Sequence, residues 1–376
     1  MRPLNHVAVR HAFLVALTAL GTLATPSFSE AQARWRLQEV ARIGGGDEGL
    51  ASFSDIRDFQ LDDEGRVWVL DFQTQSLRLF AADGTPVREI ARKGKGPGEI
   101  TNTNGIRRAP DGRMIMRDHS NGRLAIFAAD GRSAGHHLMQ SFGYGYRWDA
   151  VVDAQGRLHE IATVRRGEEY ERAVLRHAPG FATADTSEAP QTQACSDLPA
   201  PPPAIRGKEG FAGMPFEPGI IMNFAADGAY WCGNTDEYRI RRFAFGAKSH
   251  DRELALTLPR TPIPAAARDS AIKGVEAFLV KIGGAVEPWD KGAVRRDRGQ
   301  LRWFESDDHN RMWVLRETPS KQSELDVWDT QGKRIAVIPV DMRGSTLFRI
   351  RGDRLALVTL DEDDLPTIVV YRISTR

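Results

Sequence analysis

The sequence predicts an all-β chain, a six-bladed β-propeller of four-stranded antiparallel blades with one inserted helix at about 264–282, and three observations carry that expectation. The first is a string that recurs about fifty residues on. Ala41-Arg42-Ile43-Gly44-Gly45-Gly46 leads through Ile56-Arg57 to DDEGRVWVLDFQTQSLRLFAADG, and Ala91-Arg92-Lys93-Gly94-Lys95-Gly96 leads through Ile106-Arg107 to APDGRMIMRDHSNGRLAIFAADG. The second is that each copy reads as short strands broken by Gly, Asp and Asn turns, a sheet that cannot bury both faces alone, so copies must stack. The third lies at the ends. WRLQEVARI (35–43) is a lone strand before the first copy, while the last copy stops at its third strand near Tyr371 to Ile373. Pairing the two closes the ring and removes the open edges that invite aggregation.

The chain begins with an export address. Arg2 and Arg10 form a basic region, AFLVALTALGTLA (12–24) an apolar one, and Ala31-Gln32-Ala33 a small-x-small cleavage site. The apolar run is shorter than the roughly 20 residues a membrane span needs. Residues 1–33 are therefore expected to be a Sec-type signal peptide cleaved after Ala33, and residues 34–376 a single propeller domain, periplasmic or secreted, without membrane insertion, as a monomer.

Four looser copies follow the two clear ones. They start at Asp153-Ala154-Gln155-Gly156-Arg157, at Ala226-Asp227-Gly228, at Asp308-His309-Asn310-Arg311 and at Arg351-Gly352-Asp353-Arg354. In the third copy LHEIATV and RAVLRHA are strands on either side of a charged turn, RRGEEYE. Two segments interrupt the period. Residues 180–218, rich in Pro and Ala, read as a long surface connection between copies three and four. From Pro264 to about Ile282 the pattern becomes helical, with Ile272, Val275, Leu279 and Ile282 on one face and Pro264 at the first helical position. This helix is expected to cover the side or rim of the ring rather than act as a lid.

The expected leader holds two of the 51 basic and one of the 50 acidic residues, which leaves 49 of each. A neutral chain has no global attraction for nucleic acid. The two cysteines, Cys195 and Cys232, lack CxxC spacing and belong to an exported chain, so they are expected to form one structural disulfide.

The strings VxDxxxxxLRLFxxDG (Val69, Asp71, Leu77, Arg78, Leu79, Phe80, Asp83, Gly84) and RDHSNGRLAIFAADG (Asp118, Asn121, Arg123, Leu124, Phe127, Asp130, Gly131) resemble the repeat of NHL-type and TolB-like six-bladed propellers. Gly94-Lys95-Gly96-Pro97-Gly98-Glu99 resembles the turn linking blades in bacterial exported members. The resemblance implies a fold and a habit of binding at the channel mouth. It implies no reaction.

Few motifs carry chemistry. GKGPGE lacks the Ser or Thr that a phosphate loop needs after its lysine, and reads as a blade-to-blade turn, as does Gly44-Gly45-Gly46. Asp71 with Arg78 and Asp118 with Arg123 recur at matching places and read as pairs that fix a hairpin. His119 is a lone histidine beside one carboxylate, too few ligands for a metal. Asp361 to Asp364 read as a solvated turn. GxSxG and HExxH do not occur.

A propeller assembles its site from one or two residues per blade where the inner strands start. By register with Ile56 and Ile106 these are Asp55 and Arg57, Asn104 and Arg107, and Arg147 and Asp149, with Asn223, Trp303 and Arg349 continuing the series. They are expected to bind a small polar molecule or an envelope protein at the channel mouth, without catalysis and without a cofactor. The alternative is a metal-dependent hydrolase or lyase of the lactonase or amidating-lyase kind, with Asp55, Asn104, Asp149 and Asn223 caging Ca²⁺. The neighbouring arginines would repel a cation, which favours a ligand carrying carboxylate or hydroxyl groups.

Overall fold

The computed structural model describes residues 35–46, 48–139, 147–188, 195, 197, 204–318 and 322–375. The expected signal peptide and its cleavage point lie outside the described residues. Six four-stranded antiparallel blades are present. Their inner strands are Ile56–Leu61, Thr103–Arg108, Ala150–Val152, Ile220–Phe224, Trp303–Ser306 and Phe348–Arg351 for blades 1 to 6. In blade 1, Glu99–Ile100 adds a short parallel fifth strand beside Pro86–Lys93.

The ring closes as the sequence predicts. Arg36–Gly44 pairs antiparallel with Pro366–Ser374, with Arg36 opposite Ser374 and Gly44 opposite Thr367. The first strand of the chain is thus the outer strand of blade 6. Gly44 has φ of 121° and lies so close to the Pro366 carbonyl that a Cβ would sit 2.7 Å from it, so only glycine fits there.

Strands such as Val67–Asp71 and Met114–Asp118 are buried at every position, because each blade is covered on both faces by its neighbours. Phe59, Leu61, Val67 and Val69 pack on Ala356, Val358, Ile368 and Val370 of blade 6. The other face of blade 1 packs Trp68 and Leu70 against Ile106, Met114 and Met116 of blade 2. Burial of this kind, at roughly 25 cal/mol per Å² of apolar surface, is the main force holding blade to blade.

Polar residues lock the turns. Arg123 Nε donates to Asp118 at 2.8 Å, and Arg123 Nη2 also reaches the Gly96 and Glu99 carbonyls. Asp118 accepts from Thr101 N. Asp71 likewise accepts from Ser54 N, and Arg78 reaches the Leu50 and Ser52 carbonyls, so these pairs clamp the blade-linking loop as well as the hairpin. A second device escapes the sequence reading. In blades 1, 3 and 5 a buried aspartate after the inner strand accepts both from an arginine four residues on and from a ring nitrogen six residues on. The sets are Asp62 with Arg66 and Trp68, Asp153 with Arg157 and His159, and Asp307 with Arg311 and Trp313. In blade 4 the matching position is Ala225, and Trp231 Nε1 is buried without a hydrogen-bond partner among the described residues.

Three expectations need correction. The charged run RRGEEYE is strand at both ends, with only Gly167 and Glu168 between Leu158–Arg166 and Glu169–His177. The connection after copy three starts later than residue 180, since Ala184–Glu188 is the outer strand of blade 3. The helix spans Ala265–Gly283 with Pro264 as its N-cap, and of the predicted apolar face only Leu279 is fully buried while Ile282 is exposed. That helix meets the Phe211–Ala212 strand, which pairs with Ile205–Arg206 in the connection before blade 4. Two inter-blade insertions thus pack on each other. Cys195 is joined to Cys232, with Cα atoms 5.3 Å apart, and this ties the same connection to the second strand of blade 4.

Candidate functional site

Hairpin pairing sets the level of every inner-strand residue. Gln60, Arg107, Val151, Asn223 and Glu305 each lie one residue before the last paired residue of their strand, opposite Trp68, Ile115, His159, Trp231 and Trp313. Arg349 joins them, because Phe348 and Ile350 on either side pack toward blade 5 as Phe304 packs toward blade 4. All six residues line one cavity of about 130 Å³.

This level of the channel is closed by its own charges. Arg107 and Arg349 both bond Asp58, and Arg349 also bonds Glu305. Asn223 Nδ2 donates to Glu305 at 2.8 Å and to the Phe304 carbonyl at 3.0 Å, while its Oδ1 accepts from Phe224 N. Arg107 spends its remaining donors on the Ile106, Trp148 and Ala150 carbonyls. Asp58 is buried, which by itself would raise its pKa, but Arg349, Arg107 and the Ile106 N–H hold it below the ordinary carboxylate range. A buried network with every member bonded is a structural tie.

The register inferred from sequence is three residues out. Turn glycines Gly65 and Gly112 are 47 positions apart, whereas the Gly-rich links are 50 apart. Bulges at Ile56/Asp58 and Thr103/Ile106 hide the difference. Arg107 therefore matches Gln60, Asn104 matches Arg57, and Gly105 matches Asp58. Gly105 has no side chain because its Cβ would stand 2.5 Å from Trp148 Cβ and 3.3 Å from the Asp58 carboxylate. Blade 2 leaves room for the acid that blade 1 supplies.

Nearer the start of the inner strands a second pocket of about 340 Å³ opens. Asp55, Arg57, Arg147 and Arg302 line it with Ser54, Ser345 and Thr346. Arg57 bonds Asp55 at 2.6 Å and lies 3.7 Å over the Phe72 ring. Arg147 reaches from blade 3 across to Thr346 Oγ1 at 3.1 Å, stacked over Trp303 at 4.9 Å. Arg302 donates to Ser323 Oγ and the Ser345 carbonyl and makes no ion pair among the described residues. Burial lowers its pKa, opposed by Glu317.

The nine residues singled out from sequence thus divide, with Arg349 at the closed level and Trp303 at the start of the blade 5 inner strand. Asp55, Arg57 and Arg147 meet at the mouth. Arg107 and Asn223 belong to the closed level below, Asn104 is fully buried in the wall, and Asp149 lines neither cavity. Asp55 and Asn223 differ by five positions along the inner strand, roughly 16 Å, so Asp55, Asn104, Asp149 and Asn223 do not form one cage. Among the described residues no group of three or more His, Cys, Asp or Glu side chains is placed to hold a metal ion. Asp58, Glu305 and Arg302 were missed. Counting back from the matching turn residues Gly65 and Asn310 would have found the first two, whereas Arg302 lies just ahead of the inner strand Trp303–Ser306.

No family model and no curated protein matches the chain. Its fold is similar to that of a candidate exported protein from Bacteroides fragilis, at 12% identity and a TM-score of 0.52, covering 92% of this chain and 97% of that one. A member of the duf4221 family from Bacteroides vulgatus, at 10% identity and a TM-score of 0.50, covers 92% of this chain and is itself covered completely, at 100%. At such identities the likeness is one of fold. No helix among the described residues is long and apolar enough to cross a membrane.

Proposed function

We propose that this chain is an exported propeller that binds a small oxyanion, such as a molecule bearing a carboxylate group, at the channel mouth, with no catalytic role assigned to the mouth residues. The observation that carries the reading is the gathering of Arg57, Arg147 and Arg302 around one pocket with a single carboxylate, Asp55. Guanidinium forks suit planar and tetrahedral oxyanions, and the Ser54, Ser345 and Thr346 hydroxyls add neutral donors. The same positive excess disfavours a bare cation. A pocket with a few convergent polar groups at the end of a ring of strands is where small ligands settle. Export rests on the basic, apolar and small-residue pattern of residues 1–33.

Sulfate is a suitable probe, being an oxyanion that does not titrate near neutral pH. Its affinity, measured by calorimetry, should fall about tenfold or more in Arg147→Ala and Arg302→Ala, the loss expected when a charge-assisted hydrogen bond is removed. Parent-like affinity in both variants would count against the mouth as the site.

A further inference from the structure

The mouth pocket has two unlike ends, and the short stretch from Gly344 to Thr346 joins them. Thr346 Oγ1 accepts from Arg147 at 3.1 Å and the Ser345 carbonyl accepts from Arg302 at 3.2 Å, so two guanidinium groups stand over this end. Gly344, just before them, lies against Leu360: a Cβ built on it would sit 2.6 Å from Leu360 Cδ1. Leu360 closes the strand Arg354–Leu360 and is paired with Pro366 across the blade 6 hairpin.

The charged lining comes from blades 1, 3 and 5, whereas the blade 6 hairpin contributes Val358, Leu360 and Pro366 and no charge. Ile56 continues this apolar wall from blade 1. Val358 and Ile56 also belong to the core between blades 6 and 1, so the wall is fixed by packing. At about 340 Å³ the pocket falls within the roughly 300–1,000 Å³ of sites that enclose organic ligands. An inorganic oxyanion would use the arginine end alone and leave the apolar wall facing water.

We propose that the mouth site takes an amphipathic monocarboxylate, its carboxylate on Arg147 and Arg302 and its short hydrocarbon tail along Gly344 against Leu360 and Pro366. This rests on the mouth reading given above and narrows its ligand class. No bond of the ligand breaks. The two carboxylate oxygens match the guanidinium forks, and Arg302 makes no ion pair among the described residues that the ligand would have to displace. The tail binds by leaving water. A second carboxylate at its far end would meet Leu360 and Pro366 with no donor to pair it, so dicarboxylates of the same length are disfavoured.

Calorimetry on the full mature chain with acetate, butyrate, hexanoate and adipate tests this. Affinity should rise along the first three by about fourfold for each methylene that reaches the apolar wall, making hexanoate at least about tenfold tighter than acetate. Adipate, which is hexanoate with a second carboxylate at the far end, should fall back toward acetate. In Leu360→Ser, a change at a half-buried strand end, the ratio of hexanoate to acetate affinity should drop toward one. The series on the parent needs no variant to fold. Three monocarboxylates that bind alike, adipate that matches hexanoate, or a chain-length rise that survives intact in Leu360→Ser overturns the amphipathic assignment and leaves the mouth site standing. If neither sulfate nor any of the carboxylates binds, both readings fall.

Discussion

At mid-channel two arginines alternate with two carboxylates around the ring, Arg107, Asp58, Arg349 and Glu305, and every charge has a partner. About a strand's length nearer the mouth, three arginines share one pocket with Asp55 alone. The residue types are the same. What differs is the ratio of acid to base: at mid-channel each arginine meets a carboxylate, whereas at the mouth Arg302 makes no ion pair among the described residues. The comparison teaches that an arginine in a propeller channel is read by its level along the strand and by the acids at that level, not by its presence in the repeat.

The comparison breaks first if the ring is opened. Removing residues 34–45 takes away the outer strand of blade 6 and exposes the edge of Pro366–Ser374, so the melting temperature should drop sharply and both levels should be lost together. An unchanged midpoint would mean that closure does not hold the channel in shape.

Next in size is Asp58→Ala. It leaves the buried Arg107 without its carboxylate and Arg349 with Glu305 alone, and breaking a buried pair in this way costs about 3–5 kcal/mol. Chemical denaturation should show a loss of that order, whereas Arg147→Ala at the mouth should cost much less. Comparable losses from the two would erase the distinction between a structural level and a ligand-facing one.

Smaller still is the pH dependence of stability that Asp149 imposes. Its carboxyl is raised to about 6 in the folded chain from an ordinary 3.8, so the folded state is favoured below the unfolded value and the advantage is lost as pH rises through 6. Asp149→Asn should therefore leave stability at pH 4 nearly unchanged and raise it at pH 8, by at most about 3 kcal/mol for a shift of this size. A variant that is destabilised at pH 8 would show that the ionised carboxylate is held by bonds the structure does not contain.

The architecture was legible because it is repeated or terminal. Two copies of one string, a lone first strand and a missing last one were enough to place the six blades and their closure, and the presence of two cysteines in a chain read as exported was enough to pair Cys195 with Cys232. The mouth was legible in part. Asp55, Arg57 and Arg147 stand there, but Arg107 was assigned to it wrongly, because alignment on the Gly-rich links misses the bulges at Asp58 and Ile106. Period-two side-chain alternation makes a three-residue slip severe: it exchanges a wall residue for a channel residue. Gly105 shows a second limit. Its meaning, an empty place for Asp58 and Trp148, exists only once two blades are side by side. Glu305 and Arg302 lie between the 264–282 insertion and the turn of a degenerate copy, where Asn310 stands in place of the glycine that marks the turn in blades 1 and 2.

The most direct measurement is a crystal structure of the mature chain grown with selenate, whose anomalous signal locates an oxyanion without reference to the protein density. The account predicts one selenate in the mouth, against Arg147 and Arg302, with the Asp58 bonds to Arg107 and Arg349 undisturbed. Selenate lodged instead at mid-channel against Arg107 and Arg349, with Asp58 displaced, would contradict it.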